Sequence, residues 1–296
     1  MTDDRDSLGF RPPFGTMRGD HPSVSCICIT QNRRFFLRRA MAYFEDARKE
    51  YDGQAELVIL DGSANTSEEV LEDELWWGAR EPNPHVHYHH EPSPPHAKTG
   101  ALHNRACELA KGEIILQWDD DDFQAIDRIE KQAKALQAHP EGAFCFTSQF
   151  WWYHLVERRA ARAISWAHGG SAGATFAYHR KTWEACPFRD VDQGEDSFFW
   201  QDHETRGTPM VDLKDPAIVV YIRHNQNGSH ATNDHFTEED TAACRAVLGY
   251  DAHFYDELSD ILPLAQRNDP NSPWRAGQRL SYIDVQRLRA MGFRFT

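Results

Sequence analysis

Four consecutive carboxylates, Asp119, Asp120, Asp121 and Asp122, follow an apolar run, Ile114-Ile115-Leu116-Gln117-Trp118. Like charges side by side repel, so such a cluster is costly without a cation. Its oxygen-only donor set suits Mg2+ or Mn2+. The same residues also read as a solvated acidic loop, with Asp122 capping a helix that starts near Phe123. A further carboxylate, Asp61, ends Leu57-Val58-Ile59-Leu60 and leads into Gly62-Ser63, and Thr30-Gln31-Asn32-Arg33 makes a third polar terminus. Later, Glu195 and Asp196 precede an aromatic stretch, Ser197-Phe198-Phe199-Trp200. That pair reads either as charge favoured at a helix N-terminus or as a general base. Arg223 and His224 close a late apolar run, where His224 could complete a metal shell and Arg223 could stabilise a departing phosphate.

These groups need elements that bring them to one place. Val24–Thr30, 57–60 and 114–118 have the length and β-branched content of buried strands. Residues 34–51 carry Phe35, Phe36, Leu37, Ala40, Met41, Phe44 and Ala47 at helical spacing. Helices are also expected at 68–77, 100–111 (closed by Gly112 as a C-cap) and 127–138. The alternation over 23–140 is the βαβ rhythm of a mostly parallel sheet, whose strand ends form the ligand-binding edge. Three polar strand ends converging there suit a phosphorylated ligand bridged by a metal. Beyond 140 the pattern changes: 144–153 is an aromatic strand, 217–222 a late strand, and Glu238–Leu248 a helix followed by weaker helical pieces to 296. The expected organisation is an irregular arm (1–22), a first half (23–140), a second half of the same domain (141–236) and a helical extension (237–296).

Two other groups have alternative readings. His85, His87 and His89 alternate along 84–90, but no Cys or carboxylate sits at zinc-ligand spacing. An exposed strand edge is the simpler account. Phe150-Trp151-Trp152-Tyr153, with Trp166, Trp183 and Trp200, reads as core, or as a lining whose flat faces suit sugar rings.

The whole chain sets bounds. Its 296 residues carry a formal charge of −14, which argues against a nucleic-acid or anionic-membrane surface. The six cysteines contain no CxxC pair and read as buried thiols in a reducing cytosol. No 18-residue apolar window and no signal-type segment are present, so a cytoplasmic enzyme or binding protein is expected.

The stretch VSCICITQNR, LVILDGS, GALHNRACELAKGEIILQWDDDDF and DRIEKQ resembles the inverting family-2 glycosyltransferases of GT-A fold. Gly194-Glu195-Asp196-Ser197-Phe198-Phe199-Trp200 resembles their acceptor-side acidic motif. The resemblance implies an α/β, Rossmann-like, mostly parallel central sheet flanked by helices, with the tail as a helical extension. It implies transfer of a sugar from a nucleoside-diphosphate sugar, a UDP-sugar in the first instance, with Mn2+ or Mg2+.

By position, the resemblance puts Thr30 beside the nucleotide and Asp61 on the uracil ring. It puts Asp121 on the metal with Asp119 and His224 around it, and Asp119 or Asp120 toward ribose or metal-bound water. Asn32, Arg33, Lys98, Arg105 and Arg223 fall among the donor-binding residues, and Asp196 or Glu195 is the base. Ile29, Gln31 and Leu60 depart from the family's Pro, Tyr and Asp, so base stacking by a tyrosine is missing. The acceptor is expected to be soluble rather than lipid, and a homodimer is compatible with the tail. Two other readings remain: a non-catalytic nucleotide-sugar or carbohydrate-binding protein, and a nucleotidyltransferase, which would need a basic, Gly-rich loop before Val24.

Overall fold

The computed structural model describes residues 21–31, 33–63, 83–92, 97–140, 142–164, 172–224 and 235–268. The arm at 1–20, the helix expected at 68–77, Asn32 and Trp166 lie outside them. β1 (Val24–Thr30), β2 (Ala55–Asp61), β3 (Val86–His90) and β4 (Ile114–Gln117) run parallel in the order β4-β1-β2-β3. Their register aligns Thr30 with Asp61, so both polar ends reach one edge. α1 (Arg34–Glu50) and α2 (Thr99–Leu109) supply crossovers. The apolar stripe of α1, from Phe36 and Leu37 to Ala47, is buried against the sheet. Each large side chain so buried contributes roughly 1.5–3 kcal/mol relative to exposure. At the end of β4, buried Trp118 donates its indole N–H to the Ala40 carbonyl at 3.0 Å, tying the acidic run to α1.

Past the acids come β5 (Phe123–Gln124), α3 (Arg128–Gln137), β6 (Phe144–Phe146), β7 (Gln149–His154) and β8 (Arg159–Ile164). Then follow β9 (Ala177–His179), α4 (Arg180–Ala185), α5 (Glu195–Thr205), β10 (Met210–Asp212) and β11 (Val219–Arg223). Seven strands form the central sheet, β10-β6-β9-β4-β1-β2-β3, in which β9 runs antiparallel between β4 and β6. Four form a second sheet, β5-β11-β7-β8. Strands from both sides of residue 140 share each sheet. α6 (Glu238–Leu248), capped by the Thr237 hydroxyl on the Asp240 amide, and α7 (Asp251–Asn268) pack back on the core. Cys244, Leu248, Tyr255 and Leu258 are buried in the same apolar cluster as β1.

Three expectations change. Gly112 is no helix cap: α2 ends in extended backbone at Ala110. Gly112 instead passes so close to β1 that a Cβ would sit 2.5 Å from the Ser25 nitrogen, and its amide donates to Ser25 Oγ at 2.7 Å. Asp122 caps no helix, because the next residues pair as β5 and its carboxylate accepts the Ile222 amide at 2.9 Å. The segment 144–153 is two strands in different sheets, with Ser148 held between them by Asp212. The histidine edge gathers no zinc site among the described residues. His87 instead contacts buried Glu56 at 3.2 Å, and His90 contacts the Ser63 carbonyl at 2.8 Å. The six cysteines are free, and all but Cys186 are buried.

Candidate active site

The chain turns after β4, and three of the four aspartates are buried against partners instead of forming a solvated loop. Asp120, Asp121 and Asp122 are buried. Thr30 donates its hydroxyl to Asp120 at 2.6 Å, and Arg33 approaches the other Asp120 oxygen at 2.8 Å. Arg33 also bonds Asp121. His224 Nε2 lies 3.1 Å from the same Asp121 oxygen, with its ring stacked on Phe36 at 4.6 Å between centroids.

Electrostatics divides the cluster. Burial would raise Asp121, but Arg33 and His224 outweigh it and hold this carboxyl down at about 2. Burial and the neighbouring Asp121 push Asp119 up to about 7. Burial also takes Asp120 to about 7 despite Arg33. One guanidinium therefore does not neutralise the group, and a further cation would be favoured there.

Asp61 is fully buried at the neighbouring strand end. Its oxygens accept the Ser63 amide at 2.9 Å and the Tyr88 hydroxyl at 2.6 Å, and the Gly62 amide bonds the Thr30 carbonyl at 2.9 Å. The sequence reading missed Tyr88. Period-two alternation from Val86, which packs on the core, was the available signal.

Glu195 and Asp196 open α5 after Gly194, whose φ of +73° is the left-handed region that glycine tolerates. The two acids point apart. Asp196 accepts the Gly173 amide at 3.2 Å and the Ser197 amide at 2.6 Å, and its charge acts on Asp119 and Tyr221. Gly173 is required by contact, since a Cβ there would lie 2.9 Å from Asp196 Cβ. Glu195 leans toward α2, 4.0 Å from His103 Nε2. Burial and Asp196 raise Glu195 to about 7, while burial takes His103 down to about 4, so His103 is neutral beside it. His103 also went unnoticed in the sequence, where nothing separates it from the other fifteen histidines.

The remaining candidates are held by other partners. Lys98 is exposed and bonds the Asp190 carbonyl at 3.1 Å. Arg105, also exposed, is held by Glu91 at 2.7 Å and Glu108 at 3.1 Å. Strand alternation turns Arg223 away from His224, and its guanidinium carbon lies 3.6 Å from the Trp152 ring centroid. The structure thus brings together Thr30, Arg33, Asp61, the four aspartates and His224, with Asp196 near enough to act on Asp119.

Residues 24–158 match the family described as glycosyltransferase like family 2. A mannosyltransferase, PcManGT from Pyrobaculum calidifontis, solved with GDP-Man and Mn2+, superposes with a TM-score of 0.51 at 15% identity, covering 91% of this chain and 79% of that one. S. aureus TarS 1-349 solved with UDP gives 0.52 at 14% identity, covering 91% and 70%. Its complex with UDP-GlcNAc gives 0.51 at 15%, covering 91% and 80%. With a match spanning the acidic strand end and an architecture shared with these solved enzymes, the chain has a GT-A fold, and its residues 24–158 are similar to glycosyltransferase like family 2.

Proposed function

We propose that the protein is a metal-dependent, inverting glycosyltransferase that uses a nucleoside-diphosphate sugar, with a UDP-sugar as the first donor to test. The observation that carries the reading is the Asp121–His224 pair, with Asp196 near enough to act on Asp119. The 3.1 Å between Asp121 Oδ2 and His224 Nε2 suits neighbouring ligands of one cation, which at bonds of about 2.1 Å stand about 3 Å apart. No group of three or more His, Cys, Asp or Glu is gathered in ligand geometry among the described residues. Such a cation commonly takes only one or two carboxylates and completes its shell with substrate phosphates and water. Asp121 and His224 would hold it, with Asp119 toward its bound water, and an imidazole in the set favours Mn2+ over Mg2+. When bound, it offsets charge developing on the leaving diphosphate.

The chain's own residues do the rest. Asp61, oriented by Tyr88 and Ser63, accepts an N–H of the base. Thr30 and Arg33 keep Asp120 and Asp121 aligned. Asp196, fixed by two amides, takes the acceptor hydroxyl's proton as the acceptor oxygen bonds the anomeric carbon. The bond from that carbon to phosphate oxygen breaks with its electron pair, so a single displacement inverts the centre. Glu195, turned to His103, is left to position the start of α5. Lys98 and Arg105 carry no part here, being bound to local acids.

Titration calorimetry with UDP, GDP, CDP and ADP, with and without Mn2+, tests the reading. Tight binding of one diphosphate only with Mn2+ is expected; binding indifferent to metal, or none at all, would sink it.

A further inference from the structure

Arg128, the first residue of α3, is fully buried, yet its guanidinium bonds only neutral oxygens. Nε donates to Gln132 Oε1 at 2.9 Å, Nη1 donates to Gln124 Oε1, and Nη2 donates to the Ala174 carbonyl at 2.6 Å. The guanidinium carbon lies 5.4 Å from the centre of the Trp118 ring. Burial lowers the group to about 10 against the pull of nearby acids, Asp119 and Asp122 among them, so it stays charged at neutral pH. A buried cation without a bonded carboxylate is costly, and a core that needed only packing would not carry one here.

Each of those bonds leads to a different part of the site. Gln124 lies in β5, and its amide reaches the Asp119 carbonyl at 3.5 Å. Ala174 lies in the short 3-10 turn Gly173–Thr175, whose Thr175 carbonyl also accepts the Gln132 amide at 2.8 Å. That turn carries Asp196, through the Gly173 amide at 3.2 Å, and its Ala174 amide donates to the Tyr221 hydroxyl at 3.0 Å. Asp196 is thus tied to a turn that Arg128 and Gln132 grip from the other side, and the same guanidinium reaches back to the end of the acidic run. A guanidinium holds its N–H groups in one rigid plane, so it fixes several partners at set angles, which a lysine ammonium on a flexible stem does not.

We propose that Arg128 is a positioning residue for the transfer step: it braces the Gly173–Thr175 turn against the acidic strand end and so sets where Asp196 stands relative to that end. A displacement of the base by about 1 Å is enough to cost on the order of 10²-fold in rate. Arg128 acts through Asp196 and touches no reacting atom. This assignment rests on the glycosyltransferase reading with Asp196 as base.

Release of UDP or GDP from their sugar conjugates with Mn2+ gives kcat and KM, and calorimetry with the free diphosphates and Mn2+ gives affinity. Both are measured on the full chain as wild type, Arg128→Lys, Asp196→Asn and the double variant. Arg128→Lys keeps the charge and loses the fork; kcat should fall at least tenfold while KM and diphosphate affinity stay within threefold. In the Asp196→Asn background the same change should cost less than threefold, because the group it positions is already gone. Gln132→Met, which releases only the Thr175 side of the grip, should lower kcat several-fold in the same pattern and carries the test should Arg128→Lys not fold. An unchanged kcat in the folded variant, an equal fall in affinity, or a full loss persisting in Asp196→Asn overturns the brace. Hydrogen exchange at the 172–176 amides, followed by mass spectrometry, needs no turnover: it should speed up at least tenfold in the variant while β1 keeps the wild-type rate. Unchanged exchange there also overturns the brace. A wild type that binds no diphosphate with Mn2+ overturns the glycosyltransferase reading, and exchange at 172–176 then still decides whether Arg128 holds the turn.

Discussion

The central and second sheets both border the site, but they encode their chemistry differently. In the central sheet, functional side chains cluster at strand ends: Thr30 to Arg33, Asp61 to Ser63, and Asp119 to Asp122. Each is a contiguous word, and parallel pairing brings the words together. In the second sheet, the outward rows combine residues from 154, 159 and 223, or from 152, 161 and 221, joined only by register. The polar group at the central sheet's edge is local in the chain, whereas the outward rows of the second sheet are a product of pairing.

That contrast can be broken experimentally, and the largest effect is expected at Asp121. Asp121→Ala should lower transfer on the order of 10³-fold, since a lost metal ligand forfeits several kcal/mol of transition-state charge stabilisation. Mn2+-dependent UDP binding should vanish with it in calorimetry; retained metal-dependent binding would move the metal off the central sheet. Asp196→Asn should cost roughly 10²–10⁴-fold in kcat, the usual worth of a general base, while UDP binding stays near wild type. Glu195→Gln should cost far less. Should the two losses be reversed, the base belongs to the acid beside His103.

Proton linkage separates the two sides more gently. Asp119 and Asp120 titrate in the folded protein at about 7, above the ~4 of an unfolded aspartate. The folded state therefore binds their protons more tightly, and their contribution to stability is full below pH ~4 and lost as pH rises through about 7. Metal-free protein should show a falling Tm over that window. Added Mn2+ should raise Tm more at pH 7.5 than at pH 5.5, because deprotonated aspartates bind it better. Equal shifts at both values would mean that the cluster does not take the metal.

The smallest expected effect is purely structural. Gly112→Ala forces a methyl into the β1 backbone and should cost about 1–3 kcal/mol of unfolding free energy in denaturant titration. No loss would mean that the α2–β4 turn relaxes freely.

Much of the central sheet was legible because β1, β2 and β4 are buried on both faces and read as continuous apolar runs. The acids were legible because four in a row needs explaining. Asp122 was misread, since a residue before Phe123 looks the same whether it caps a helix or holds a strand 100 positions away. The break of 144–153 into two strands left no trace, as aromatic residues serve both sheets equally. Tyr88 and His103 gain their roles only from neighbours far along the chain, Asp61 and Glu195. Arg223 is next to His224 in the chain, but its guanidinium lies over Trp152 while His224 meets Asp121 and Phe36.

The Asp122–Ile222 bond has a consequence for building hybrids. It stitches the last residue of the acidic run to β11 in the second sheet, and β5 pairs with that same strand from the residues just after it. A graft that exchanged the second sheet between related proteins by cutting near residue 140 would sever this stitch. The transplanted strand would arrive with its Ile222 amide buried and unanswered, and such a group costs about 1–3 kcal/mol. A workable exchange would carry residues 119–124 along with 142–224, so the natural seam of this chain runs through its candidate active site.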